Sequence, residues 1–195
     1  MPDLMPLMTY CFVMSSTPGP NNVMLTASGA NFGYRGALPQ ILGIGVGGFV
    51  LTLLSCLGLG NLFMAWPLAR ELLRVVGALY LVYLAWKLSG AGSLQGAELP
   101  RPASFWQGFA FQAVNPKSWV KAITIGSVFL PSGLSPAEGG LLAAGLGLLI
   151  GLPCASSWAL FGVGIRRFLS DPRKLRAFNL TMGLSLLALA LNLLS

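Results

Sequence analysis

One short segment of the chain reads Ser15-Ser16-Thr17-Pro18-Gly19-Pro20-Asn21-Asn22, set inside an otherwise apolar stretch. Proline donates no helical N–H and its ring clashes with the turn before it, so a helix passing through this segment must open. The carbonyls around Met14 to Thr17 then need new partners. The N–H groups from Asn21 onward become a half-helix start with partial positive charge, and such an end suits a carboxylate. A second interruption, Asn115-Pro116, is followed by Lys117 and, one turn later, Lys121. Residues four apart share a helix face. The chemistry predicted is non-covalent recognition of a small anionic or zwitterionic solute. The expected site is Thr17, Pro18, Gly19, Pro20, Asn21, Asn22, Asn115, Pro116 and Lys117, with Lys117 and Lys121 the candidates for coupling and outward snorkelling the alternative for Lys121.

What is missing narrows the chemistry further. The chain has no histidine, which removes the commonest metal ligand and general base. Asp3, Glu71, Glu98, Glu138 and Asp171 all fall at the ends of apolar runs or between them. A cationic solute would want a buried acid, and none is expected. Neither an intramembrane hydrolase nor a divalent-metal carrier can be assembled readily from what remains. No cofactor or metal is expected.

These residues must be held by elements that live in lipid. Of the 195 residues 55% are hydrophobic and only 9% are charged, with a mean hydropathy of +0.75. A soluble domain is about a quarter charged. Apolar runs cover about 4–30, 38–65, 70–88, 105–131, 138–165 and 175–194, with a Gly-, Ser- and Pro-rich loop at 89–104. A spanning helix needs roughly 20 apolar residues. Backbone polar groups in lipid must be satisfied internally, and these runs are too continuously apolar for barrel strands. The fold predicted is an all-α polytopic membrane protein, a single transmembrane domain over 1–195. Counting from Phe105 at about 1.5 Å per residue, Lys117 lies about 18 Å along its span, near mid-membrane. A lysine there costs about 2.5–3.5 kcal/mol on insertion scales and marks a functional candidate.

The net charge of +7 is read as the inside-positive bias of membrane loops rather than as a nucleic-acid footprint. Arg166, Arg167, Arg173, Lys174 and Arg176 place the last loop in the cytoplasm, with Arg35, Lys87 and Arg101 on the same side. Six spans then leave both termini outside. Arg70 and Arg74 run against this pattern, and Arg74 is expected to snorkel. The start of the chain lacks a basic n-region, so the first run is expected to be retained.

Three spans on each side of the loop give residues 1–90 and 105–195 opposite topologies. The halves resemble each other: each opens with a proline-broken helix, followed by one carrying small residues, Gly43 and Gly45 against Gly145 and Gly147. Paired broken helices in an inverted repeat point to a transporter site at the repeat interface. Gly43-x-x-x-Gly47 and Gly147-x-x-x-Gly151 permit close helix approach. They are assigned to packing within the chain, with a homodimer face as the alternative. Trp66, Trp86, Trp106 and Trp119 read mostly as interface anchors.

The ordered set Thr17-Pro18-Gly19-Pro20-Asn21-Asn22, Gly33-Tyr34-Arg35-Gly36-Ala37, Ala78-Leu79-Tyr80-Leu81-Val82-Tyr83-Leu84-Ala85-Trp86-Lys87 and Phe109-Ala110-Phe111-Gln112-Ala113-Val114-Asn115-Pro116-Lys117 resembles the LysE/RhtB amino-acid exporter family along nearly the whole chain. With Asn21 and the Ser104-Phe105-Trp106 entry, it looks most similar to the cysteine and O-acetylserine exporter branch. The resemblance implies efflux of small amino acids or their derivatives across a bacterial inner membrane, coupled to the proton gradient. It carries over to Pro18, Gly19, Pro20, Asn21, Asn22, Asn115, Pro116 and Lys117. Many members have Asp where this chain has Asn21. The position of Lys121 is usually apolar in the family, so no family role reaches it.

A different class, a membrane thiol–disulfide electron carrier resembling DsbD or CcdA, also uses two inverted halves. That chemistry needs cysteines able to meet. Cys11, Cys56 and Cys154 fall in runs one, two and five, with none in run four and no CxxC.

Overall fold

In the computed structural model residues 3–90, 101–130, 133–166 and 168–194 are described, and among them all regular structure is helical. Proline and glycine set the boundaries. Helix α1 (Met5–Ser16) ends at the first break, and α2 (Pro20–Leu54) begins with Pro20 at its first position, where a missing N–H costs nothing. A π-helical turn (Ser55–Leu59) leads into α3 (Gly60–Ala65). Then follow α4 (Pro67–Gly90), α5 (Phe105–Val114), α6 (Pro116–Val128), α7 (Pro136–Arg166), a 3-10 turn (Phe168–Ser170) and α8 (Pro172–Leu194). Most of the loop expected at 89–104, including Glu98, lies outside the described residues, as does Arg167.

Helix α2 is not one rod. Gly33 has φ 74° and ψ 174°, a left-handed φ that glycine adopts without strain. Ser28 Oγ lies 2.6 Å from Gln40 Oε1, although twelve residues of straight helix would hold them about 18 Å apart. The chain therefore folds back at Gly33 into two arms, 20–32 and 34–54. The sequence motif Gly33-Tyr34-Arg35 is this reversal.

Helix α7 is the spine against which both arms pack. It runs parallel to α1 and the first arm, with Ser16 opposite Cys154 and Gly29 against Ala159. It runs antiparallel to the second arm, where Gly45 faces Leu148 and Leu152 and Cys56 faces Gly140. A side chain on Gly29 would overlap the Ala159 carbonyl, and one on Gly162 the Thr26 carbonyl. The backbones touch, as small-residue membrane interfaces require. Gly43 and Gly47 meet Phe105 and Phe109 in the same way, so the Gly43-x-x-x-Gly47 face is occupied within the chain. Helices α4 and α8 pair antiparallel beside them, around Ala78, Leu81, Ala85, Phe111, Leu186 and Ala190.

The outer surface is apolar. Leu79 is 64% exposed, Trp86 73%, Leu149 69% and Leu191 69%. Such a contiguous apolar exterior is that of a chain solvated by lipid. By length and hydropathy, four helical stretches are long enough to cross: Pro67–Ser89, Pro136–Arg166, Pro172–Leu194 and Pro20–Phe63, the last of which the Gly33 reversal divides. Helices α1, α5 and α6, of 12, 10 and 13 residues, are each too short alone. Arg74 does not stand free: its Nε lies 3.4 Å from Glu71 Oε2.

Candidate functional site

The two proline breaks meet. Thr17 ends α1 with ψ 142°, and Asn115 separates α5 from α6 with ψ 108°. Asn115 is 1% exposed, and its Oδ1 accepts from Lys117 N at 3.1 Å, capping α6. The carbonyls freed at the first break find partners from both sides. Asn22 Nδ2 donates to Ser15 O at 3.0 Å and to Thr17 O at 2.8 Å. Lys117 Nζ donates to Thr17 O at 2.7 Å, Thr17 Oγ1 at 2.8 Å and Pro18 O at 3.1 Å. An ammonium at a helix C-terminus lies where the macrodipole favours a cation. At the second break, Trp119 Nε1 donates to Ala113 O at 2.8 Å, and the Trp119 ring stacks on Phe63. That tryptophan belongs to a helix break.

Amides join the two broken helices. Asn21 Nδ2 donates to Gln112 Oε1 at 3.0 Å, and Gln112 Nε2 donates back to Asn21 Oδ1 at 3.2 Å. Ser118 Oγ donates to the same Gln112 oxygen at 2.7 Å. Lys121 does not snorkel outward. It turns inward, and its Nζ donates to Ser15 Oγ at 3.0 Å. The reason is the register of α6: Lys121 shares a face with Lys117, and that face looks at α1.

Beside these contacts lies a cavity of about 100 Å³, measured as space open to the centres of water-sized molecules. One water needs roughly 10–15 Å³ by that measure, so a small solute has room. Gly19, Asn21, Asn22, Asn115, Lys117 and Lys121 line it, together with Gln112 and Ser118. Gly147 and Gly151 of α7 line the opposite wall. Side chains there would meet only Cys11 Sγ at 3.8 Å and Ser15 Oγ at 3.7 Å, so these two glycines hold space open rather than closing a packed contact. Thr17, Pro18, Pro20 and Pro116 do not line the cavity. Thr17 and Pro18 contribute backbone carbonyls to Lys117, while Pro20 and Pro116 begin the helices after each break.

Residues 12–195 match the family described as LysE type translocator. The chain belongs to the LysE type translocator family. It is similar to proteins named cysteine/O-acetylserine efflux protein from Escherichia coli (strain K12) and Shigella sonnei (strain Ss046), each 35% identical over 123 residues. The matched stretch covers 63% of this chain and spans 63% of the length of each relative. No solved structure matches.

Among the described residues lining the cavity of this LysE-family chain there is no aspartate or glutamate, and the titratable ones are Lys117 and Lys121. Gln112 was not singled out from the sequence as a site residue. The signal was available: a glutamine three residues before Asn115-Pro116, in an apolar helix, must find polar partners in the interior. The three cysteines are free, and Cys154 Sγ lies 3.4 Å from Ser16 Oγ.

Proposed function

We propose that this protein is a secondary transporter that exports small neutral or zwitterionic amino acids and their derivatives, with cysteine, O-acetylserine, and homoserine- or threonine-like compounds as the substrate class. One observation carries this reading: two lysines and four amides, with no carboxylate among the described residues, line a cavity where two broken helices cross. A zwitterion presents a carboxylate to such donors and an ammonium to the helix-end carbonyls. The efflux name of the relatives supports the direction.

The chain would cross a bacterial inner membrane six times. The first pass is α1 with the first arm of α2, the second runs from the second arm through α3, and the fourth is α5 with α6. Together α5 and α6 extend about 36 Å at 1.5 Å per residue, enough for one crossing. Passes one to three and four to six would form two inverted halves, rocking about the central site. Arg35 and Arg166 flank the Gly33 reversal, and Lys87 and Arg101 share a cavity with Phe32. This basic end would be cytoplasmic, with both termini periplasmic.

In the coupling proposed, the proton gradient drives export, and the charge state of Lys117 or Lys121 links protons to solute. Lys117 in this structure holds Thr17 and Pro18. An arriving carboxylate would compete for that ammonium and release the end of α1. The test is metabolite profiling of medium from expressing and non-expressing cells, followed by efflux from proteoliposomes. Extra cysteine or O-acetylserine outside expressing cells is expected. Equal release of every amino acid by both strains would overturn the proposal.

A further inference from the structure

A second cavity, about 90 Å³ by the same measure, lies toward the basic end. It shares no lining residue with the cavity between the breaks. Its walls are largely apolar, but Gln40, Lys87 and Arg101 face it. Gln40 is 0% exposed. Its Oε1 accepts from Ser28 Oγ, and its Nε2 has no partner among the described residues. A buried donor without an acceptor is costly and calls for a ligand or water to complete it. Asn31, also on the wall, has its amide engaged by Ala27 O and Asn179 Oδ1. Among the described residues, no aspartate or glutamate lines the cavity. Two cations and one unsatisfied amide N–H thus converge on an apolar pocket, and the ligand that completes such a set carries a carboxylate.

Position gives this pocket a role. Met24 and Gln40 line the second cavity, and their chain neighbours Leu25 and Ile41 line the first. Leu25 is 0% and Ile41 1% exposed, and both belong to one buried apolar cluster, which we place between the two cavities. We propose that the second cavity is a loading site, which takes the carboxylate of the outgoing amino acid on Lys87, Arg101 and Gln40 before the solute passes the Leu25–Ile41 layer. The loading role rests on the export reading above; the carboxylate site itself does not.

The test uses the full chain in lipid nanodiscs and equilibrium dialysis against radiolabelled acetate and O-acetyl-L-serine. K117M removes the ammonium of the first cavity, so the binding that remains in K117M, and its loss when K87Q/R101Q is added, reports the second cavity alone. K87Q/R101Q should lose affinity about tenfold or more, the effect of removing charge-assisted hydrogen bonds, and Q40L should weaken binding less. Lys87 is half-buried and Arg101 exposed, so the double variant leaves packing in place. In proteoliposomes the double variant should raise KM about tenfold from the basic side with kcat within about twofold of wild type. The methyl ester of O-acetylserine, lacking the carboxylate, should not distinguish the two proteins. Binding unchanged in both K87Q/R101Q and Q40L would overturn the site while leaving export standing. If wild type moves no amino acid but acetate binding still disappears in K87Q/R101Q, the loading role falls with the export reading.

Discussion

The ammonium of Lys117 closes the end of a helix that lies a hundred residues earlier in the chain, 2.7 Å from the Thr17 carbonyl. It also reaches Thr17 Oγ1 and Pro18 O. One side chain of the second broken helix thereby supplies what proline removed from the first.

K117M is expected to reduce export at least tenfold while the protein still inserts. Hydrogen bonds to a charged group are worth about 1.5–3 kcal/mol, and methionine keeps the length without the charge. Initial efflux rates, normalised to membrane protein by immunoblot, check this. Wild-type rates in K117M would remove Lys117 from the site.

The reciprocal amide pair Asn21–Gln112 should behave as a coupled unit. N21A and Q112A each leave the other amide partly unpaired, whereas the double variant leaves neither. A double-mutant cycle on unfolding in detergent should give a coupling of about 0.5–2 kcal/mol. Strict additivity would mean that water replaces either partner freely.

Filling the cavity from the α7 side should separate transport from folding. Gly151 has room for a Cβ, with Ser15 Oγ at 3.7 Å, so G151A should fold and export within a few-fold of wild type. G151L projects into the space a solute would occupy and should block export with an unchanged melting temperature. Equal export by the two variants would place the route elsewhere.

Backbone contact between α2 and α7 should be intolerant of a single methyl. G29A and G162A drive a Cβ into the Ala159 and Thr26 carbonyls respectively, and overpacking of this kind costs about 1–3 kcal/mol. Gly145 has no atom within 4 Å of an added Cβ, so G145A is the matched control. Thermal unfolding in detergent should order them G145A above both G29A and G162A.

Fine structure at the breaks was partly legible. Proline types and spacing foretold which carbonyls would lose partners, because a missing N–H is a local property. The partner identities were not local. That Asn22 would turn back to Ser15 and Thr17, and that Lys121 would face Ser15 rather than lipid, depends on the rotation of α6 against α1. Gly147-x-x-x-Gly151 looks the same in sequence as Gly43-x-x-x-Gly47. Only the neighbours make the first pair a cavity wall and the second a packed contact.

By itself, the amino-acid sequence determined the helical class, the places where the helices break at proline and the family, since hydropathy, missing N–H groups and motif order are written along the chain. Tertiary structure alone decided that α2 turns back at Gly33, that the breaks cross with Gln112 between them, and that a second cation-lined cavity stands behind Leu25 and Ile41. Those depend on how distant helices pack and rotate against one another, and short-range spacing does not encode helix rotation.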